Sequence, residues 1–450
     1  MSETITVRVK KLGINGEGIA YYHNKIVFIP GALPKEKVAI QITKNGQKFS
    51  EGRLVKIFQK SPDRAVPPCP IYDTCGGCQL QHLNYAAQLD FKRDLLKQSL
   101  AKFKPAGYQD FKIKKTLGME DPWRYRNKAQ FQVRMLAGKP AAGLFQENSH
   151  RLVALTDCLV QMPITQEIIN EVVNLLKKYP VPIFDEGKKS GVLKTLMVRT
   201  TQDFDEVQLV FITHTADFPY KKEIIASLTN KFPQLVSVMQ NIQDTTSSKI
   251  FGDKTILLWG KATITEQLSE ISFDLSARAF FQLNPAQTII LYDEVRKALQ
   301  LSKNETLIDA YCGVGTIGLS LAHLAKEVRG MDTVPEAIAD AKKNAQRKNL
   351  TNTRYEVGTA EKLIPKWNRD GFIPDAIVVD PPRTGLDDAL LNTLLKFPVK
   401  KLVYVSCNIS TLARDLKKLA TLYEVDYLQS VDMFPQTARC EVVVQLRLKK

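Results

Sequence analysis

No stretch of this 450-residue chain approaches the roughly 20 consecutive apolar residues of a membrane span. The opening MSETITVRVKKLG lacks the apolar core of a secretory signal. With neither feature, the expectation is a cytoplasmic protein whose thiols stay reduced. Internal repeats and low-complexity tracts are also missing, which excludes solenoid and disordered classes. The seven cysteines are an odd number and exclude a fully paired disulfide framework.

What is present is an ordinary globular composition with a strong basic bias. Hydrophobic residues make up 44% of the chain, and 63 Lys and Arg face 47 acids for a net charge of +16. Such an excess points to an anionic partner, of which nucleic acid is the commonest. The length allows two or three domains, and three regions can be read. Residues 1–60 hold short strand patterns (ITVRVKKL, GIAYYH, KIVFIPG, KVAIQITK, FSEGRLVKIF) separated by turn residues. They carry 11 Lys or Arg and four acids, a local charge of +7, which suits a small OB-like barrel in contact with RNA. After the Pro-rich SPDRAVPPCP, residues 61–275 mix helical and strand patterns in a central α+β region. Residues 276–450 alternate strands with helices, the pattern of a doubly wound, Rossmann-like parallel sheet.

In that last region ETLIDAYCGVGTIGLSLA runs from a strand ending at Asp309 through a glycine-rich turn into a helix. Gly313, Gly315 and Gly318 fit the dinucleotide fingerprint, which alone is a weak signal. The next strand ends at Asp332, where an acid can accept both hydroxyls of a ribose. IVVDPPRTG ends a fourth strand at Asp380, and LVYVSCN a fifth at Cys407. The crevice at such strand ends is where ligands bind in this architecture. The Pro-Pro loop is a poor feature for a nicotinamide cofactor but fits methyltransferases that grip a planar base. If VVVQLRL is a closing antiparallel strand, Glu441 at its start stands at the same sheet edge as Cys407.

A thiol and a separate base at one site suit methylation of carbon 5 of uracil. Thiolate attack on carbon 6 places electron density on carbon 5, which takes the methyl group, and a base must then remove the carbon 5 proton. Cys440 is a rival nucleophile, but it alternates with Glu441 along the strand and should face the other way. Cys312 sits in the glycine turn, away from the base. Three further cysteines crowd between Cys69 and Cys78; clustered soft thiolates suit iron–sulfur or zinc.

FFQLN, DAYCGVG, GMDTVPEAI, VVDPPRTG, VSCN and DMFPQTARCE occur in the order found in the RNA uracil-5-methyltransferase family, which the whole chain resembles. The resemblance implies a TRAM barrel at the N-terminus and an S-adenosylmethionine-dependent class I methyltransferase domain at the C-terminus. It implies Cys407 as nucleophile and Glu441 as base. Gln282, Tyr311, Asp332 and Asp380 would bind the cofactor, with Gln282 also placed to touch the uracil. Cys69, Cys75, Cys78 and Cys158 would hold a four-iron four-sulfur cluster. Asn408 is followed by Ile409, where the family often has proline, and Thr316 stands where some members have asparagine.

The expected function is methylation of 23S ribosomal RNA. The alternative within the class is the tRNA T-loop, whose enzymes generally lack the barrel. Amino-group methylation of adenine or cytosine needs an aromatic residue where Arg383 stands and no cysteine. A non-catalytic RNA-binding iron–sulfur protein is opposed by the intact Cys407, Asp380 and Glu441.

Overall fold

The computed structural model describes residues 4–147, 149–203, 205–245, 249–268 and 271–450. Six strands form the N-terminal sheet: β1 (Thr4–Arg8), β2 (Lys11–Leu12), β3 (Gly18–Tyr22), β4 (Lys25–Ile29), β5 (Lys37–Asn45) and β6 (Phe49–Gln59). Their order is β1-β5-β6-β4-β3-β2, with only β4 and β6 parallel. Alternation along β1 sends Ile5 and Val7 inward, where they meet Val27, Ile29, Val38 and Ile40 in a small core of their own. Buried Glu36 closes this unit against the linker. It accepts from Arg64 Nε at 2.6 Å and from the backbone N–H groups of Leu33 and Ser61. Burial pushes its carboxyl up, but these donors win and hold it below the usual range.

The helix α1 (Tyr85–Phe103) follows. A seven-stranded sheet then forms from β7 (Lys128–Leu136), β8 (Lys139–Phe145), β9 (Leu152–Ala154), β10 (Leu193–Thr200), β11 (Val207–Thr213), β12 (Leu235–Ile242) and β13 (Lys254–Gly260). It is ordered β13-β12-β11-β10-β7-β8-β9, and α2 (Pro163–Lys178) and α3 (Lys221–Lys231) cover one face. A hairpin, β14 (Thr263–Leu268) and β15 (Ile271–Ser276), leads into the last region.

That region alternates α4 (Pro285–Leu299), β16 (Thr306–Ala310), α5 (Thr316–Leu321), β17 (Glu327–Asp332), α6 (Pro335–Arg347), β18 (Thr353–Val357), α7 (Ala360–Arg369), β19 (Ala376–Val379), α8 (Asp388–Lys396), β20 (Lys401–Ser406), α9 (Ile409–Leu419), β21 (Tyr423–Val431) and β22 (Glu441–Leu448). The sheet order is β18-β17-β16-β19-β20-β22-β21. The first five strands are parallel, and β22 enters antiparallel between β20 and β21. This is the doubly wound class I methyltransferase fold, and with the N-terminal barrel it bears out the expected fold class. No helix among the described residues is long and apolar enough to cross a membrane.

Chain order and packing divide the molecule differently. Although α1 precedes the central sheet, it packs on α9, and its Phe91, Leu95, Leu96 and Leu100 share a core with β16, β19, β20 and β22. Beyond α1 the chain runs along β21, where Lys114 N and Leu117 N donate to Leu428 O and Ser430 O. Similarly, Ile264, Phe273 and Leu275 of the hairpin pack with α4 and the other face of the last sheet. Lys92 of α1 is fully buried in an ion pair with Asp432, which also accepts from Tyr85 Oη at 3.0 Å. Lys92 Nζ donates further to Phe434 O at 3.1 Å.

Removing one member of a buried pair leaves an uncompensated charge. Lys92→Met is therefore expected to destabilise the protein by about 3–5 kcal/mol in urea denaturation, and Lys92→Met with Asp432→Leu to recover part of that loss.

Candidate active site

The strand ends of the last sheet bring the chemistry together. Asp380 directly follows β19 and Cys407 directly follows β20, while Glu441 is the first residue of β22. Ser406 pairs with Val442 and Glu441 with Val431, so Glu441 enters the sheet beside the residue that precedes Cys407. The loop after Asp380 is tied to the loop after Cys407, because Asn408 Nδ2 and Thr411 Oγ1 both donate to Arg383 O, at 2.8 and 3.3 Å. Asn408 also caps α9, accepting from Ser410 N at 3.0 Å. Asn408 therefore holds this loop without the proline that often follows it in the family.

The electrostatics couple these groups. The Cys407 thiol is pushed up to about 12, first by burial and then by Glu441 and Asp380, with the Arg383 guanidinium pulling the other way. Burial raises the Glu441 carboxyl well above the usual carboxylate range. Asp380 raises it further, and Arg383 opposes. Asp380 is itself raised by burial. Two acids and a thiol thus share one dry corner with a single nearby cation among these groups, and not all three can be charged at once.

The glycine turn builds the adjoining part of the crevice. Gly313 and Gly315 have φ of +54° and +85°, a region closed to most side chains. Tyr311 adopts φ +65° beside them. Asp332 accepts from Gly313 N at 3.1 Å and Val334 N at 2.9 Å. Asp309 accepts from Gly318 N at 2.7 Å and keeps Oδ1 buried without a partner; burial, then Asp380 and Asp332, push it up to about 7. Gln282 reaches this end from another direction. Arg199, buried in the central sheet, donates to Ser276 O and Ala279 O, and Asn127 N donates to Leu283 O at 3.0 Å. Asn284 then caps α4 and donates to Met433 O at 3.2 Å, fastening the Gln282 segment to the loop that precedes Glu441.

The rival cysteines lie elsewhere. Cys440 is buried in the core on the α1 side, while Val443, two residues beyond Glu441, packs on the other face. Cys312 is buried among α4, α5 and α6. The sequence reading used Arg383 only to oppose amino-group methylation and missed that its charge bears on both Cys407 and Glu441; its place in the DPPRTG loop was the available signal. Arg199 and Asn127, which set the Gln282 segment, left no local signal.

The early cysteines meet as well. Cys69, Cys75, Cys78 and Cys158 all line one cavity of about 250 Å³, although Cys158 follows Cys78 by 80 residues. Burial and the neighbouring thiols push Cys78 up to about 12. Arg126 and Gln161, also in the lining, keep Nε and Oε1 buried without partners. The expected iron–sulfur site is nonetheless only partly met: among the described residues no group of three or more His, Cys, Asp or Glu is arranged to hold a metal ion. The four cysteines line one cavity without converging on a single point.

Residues 84–449 match the family described as tRNA (uracil-5-)-methyltransferase, and residues 2–55 match the TRAM domain. The chain belongs to the tRNA (uracil-5-)-methyltransferase family. It is an S-adenosylmethionine-dependent RNA methyltransferase. An uncharacterized RNA methyltransferase of Enterococcus faecalis is 60% identical over 99% of this chain and 98% of its own length. One of Listeria monocytogenes is 54% identical over 98% and 96%. The crystal structure of Pyrococcus abyssi tRNA (uracil-54, C5)-methyltransferase with S-adenosyl-L-homocysteine superposes with a TM-score of 0.78 at 26% identity, covering 98% of this chain and all of that one. That breadth of coverage removes the barrel as an argument against a tRNA enzyme.

For the free methyltransferase, alkylation of Cys407 by iodoacetamide, followed on its own peptide by mass spectrometry, should be slow at neutral pH. It should rise about tenfold per pH unit up to about pH 9, because the thiolate fraction grows at that rate below the thiol's pKa. Arg383→Leu should slow it by roughly three- to tenfold and Glu441→Gln should speed it by a similar factor, since they remove opposite influences on the thiol. A rate that levels off between pH 8 and 9, as that of an ordinary thiol does, would contradict the raised thiol.

Proposed function

We propose that this enzyme methylates carbon 5 of a uridine in 23S ribosomal RNA, in the cytoplasm, with Cys407 as nucleophile and Glu441 as base. The observation that carries this reading is the meeting of Cys407, Asp380 and Glu441 at three neighbouring strand ends. Cys407 gives up its thiol proton to solvent, its Sγ bonds to carbon 6 as the thiolate, and the ring electrons shift toward carbon 5 and the carbonyl oxygen. Carbon 5 takes the methyl group from the sulfonium of S-adenosylmethionine, whose C–S electron pair stays on sulfur. Glu441 removes the carbon 5 proton, the double bond re-forms, and the C–S bond to Cys407 breaks. Arg383 counters the negative charge of this sequence near Cys407. Gln282, Tyr311, Asp332 and Asp380 would bind the cofactor, and Gln282 would touch the uracil as well. Both Asp332 oxygens already face backbone N–H groups at a strand end, the placement suited to a ribose diol.

The basic N-terminal barrel supports an RNA substrate, and its local charge of +7 suits a large, highly charged one. A second reading, methylation of the tRNA T-loop, is favoured by the likeness to the Pyrococcus abyssi tRNA enzyme over the full chain. We further propose that Cys69, Cys75, Cys78 and Cys158 hold a four-iron four-sulfur cluster. It would cross-link the cysteine segment to the central domain; methyl transfer itself needs no electron. The shared cavity and the four soft donors support the assignment.

Cys407→Ala should abolish methylation while RNA binding persists; retained turnover would remove the nucleophile assignment. RNA containing 5-fluorouridine should form a covalent complex with the wild type that survives denaturation. Glu441→Gln should still form the Cys407 adduct but release it slowly. Loss of 5-methyluridine from 23S RNA, and not from tRNA, in a strain lacking the gene identifies the substrate; the reverse pattern selects the second reading. Anaerobically purified protein should be brown and contain iron, whereas colourless protein with stoichiometric zinc would overturn the cluster.

A further inference from the structure

The residue that precedes Glu441 by five, Gln436, is held in an unusual way. Its φ is +68°, a left-handed conformation that a residue other than glycine adopts at a cost. Every polar group it carries except one side-chain amide faces the segment just after Cys78 or the helix that follows. Gln79 N and Leu80 N both donate to Gln436 O, at 3.0 and 2.9 Å. Gln88, on α1 and only 1% exposed, accepts from Gln436 N at 3.0 Å and donates to Gln436 Oε1 at 2.9 Å. The same Gln88 amide donates to Leu80 O at 3.1 Å and Leu83 O at 2.9 Å. One buried glutamine therefore ties the cysteine segment to the loop that delivers Glu441. Neighbouring bonds leave that loop little slack: Tyr125 Oη donates to Pro435 O at 2.8 Å, and Thr437 N donates to Phe434 O at 3.2 Å.

We propose that Gln88 is a positioning residue for Glu441, acting through Gln436. The proposal rests on the reading of Glu441 as base. Gln88 fixes the left-handed turn at Gln436, and the turn fixes where β22 begins and so where the Glu441 carboxyl stands relative to the carbon 5 proton. Cys407 is carried by β20 and the turn into α9, which receive none of the hydrogen bonds of the Gln88 side chain. The two halves of the reaction therefore depend on Gln88 unequally. Bond formation by Cys407 and methyl transfer proceed without it; proton removal and release of the adduct do not.

The test measures the two halves separately on the full chain, with in vitro transcribed ribosomal and transfer RNA as probes, each made with uridine and with 5-fluorouridine. Gln88→Ala should form the covalent complex with 5-fluorouridine RNA at the wild-type rate. With uridine RNA it should release methylated product about 10- to 100-fold more slowly, the covalent complex building up on denaturing gels, because a small misplacement of a proton acceptor has that effect. Gln436→Gly accepts the left-handed turn and keeps both the carbonyl that Gln79 and Leu80 hold and the N–H that donates to Gln88, so it removes only the bond from Gln88 Nε2 to Gln436 Oε1. It should shift the partition in the same direction, and it carries the test if Gln88→Ala does not fold. Equal slowing of both halves, or wild-type partition in Gln436→Gly, would overturn the proposal. Glu441→Gln run in parallel separates the two claims. If it releases product at the wild-type rate, the base assignment fails. If it traps the complex and the glutamine variants do not, the positioning role fails alone.

Discussion

Two carboxyls and a thiol, half-buried Asp380, buried Glu441 and half-buried Cys407, crowd together at the ends of adjacent strands, and the arrangement of the site answers to their mutual repulsion. In water each would ionise independently. Here burial holds the acids toward their neutral forms and the thiol toward its protonated form. The corner therefore stores protons rather than charge until a substrate enters. Arg383, whose carbonyl is gripped by Asn408 and Thr411, is the counterweight, and its exposed position lets it face an incoming anionic strand as well. An electron-poor ring that accepts the sulfur, and a carboxylate that takes up the carbon 5 proton once the corner has released its own protons, together turn this stored arrangement into a reaction.

Holding three mutually repelling groups close requires a stiff frame. Part of it is the sheet: β22, hydrogen-bonded on both sides, fixes Glu441 beside the end of β20. The rest comes from chain that lies far away in sequence. The helix α1 and the segment after it close over β21 and α9, and buried polar contacts from Tyr85, Gln88 and Lys92 reach the loop between β21 and β22. The central sheet supports the opposite side, where Arg199 and Asn127 hold the segment bearing Gln282.

Much of this was legible in the sequence where local periodicity carries the signal. The alternating strands of residues 1–60, the β-α alternation after residue 285 and the strand-end positions of Asp332, Asp380, Cys407 and Glu441 follow from patterns a few residues long. The contacts that cross the chain leave no such trace. In YAAQLDFKRDLLKQSLAKF, Lys92 reads as one more solvated lysine, and only the fold shows that it is fully buried against Asp432. Gln88 reads as a polar helix position and proves to be 1% exposed. Spacing alone related Cys75 to Cys78; Cys158 reaches their cavity through the packing of the central domain, and the resemblance to a family, not the spacing, anticipated it. The barrel was read correctly as a domain but given too much weight as a guide to the RNA, since an enzyme of the tRNA branch matches this chain over the same extent.

The separation between Lys92 and Asp432 also sets an order of events at birth. The two partners lie 340 residues apart, so Asp432 leaves the ribosome long after Lys92. Until then α1 has an apolar face without its sheet and a lysine without its acid, while the barrel and much of the central sheet can already complete their own cores. Translation thus passes through a long interval in which the N-terminal parts are folded and the helix that seals the methyltransferase domain waits. Closure of that domain is then a late, long-range event, reached only after the crevice residues from Gln282 to Cys407 have emerged.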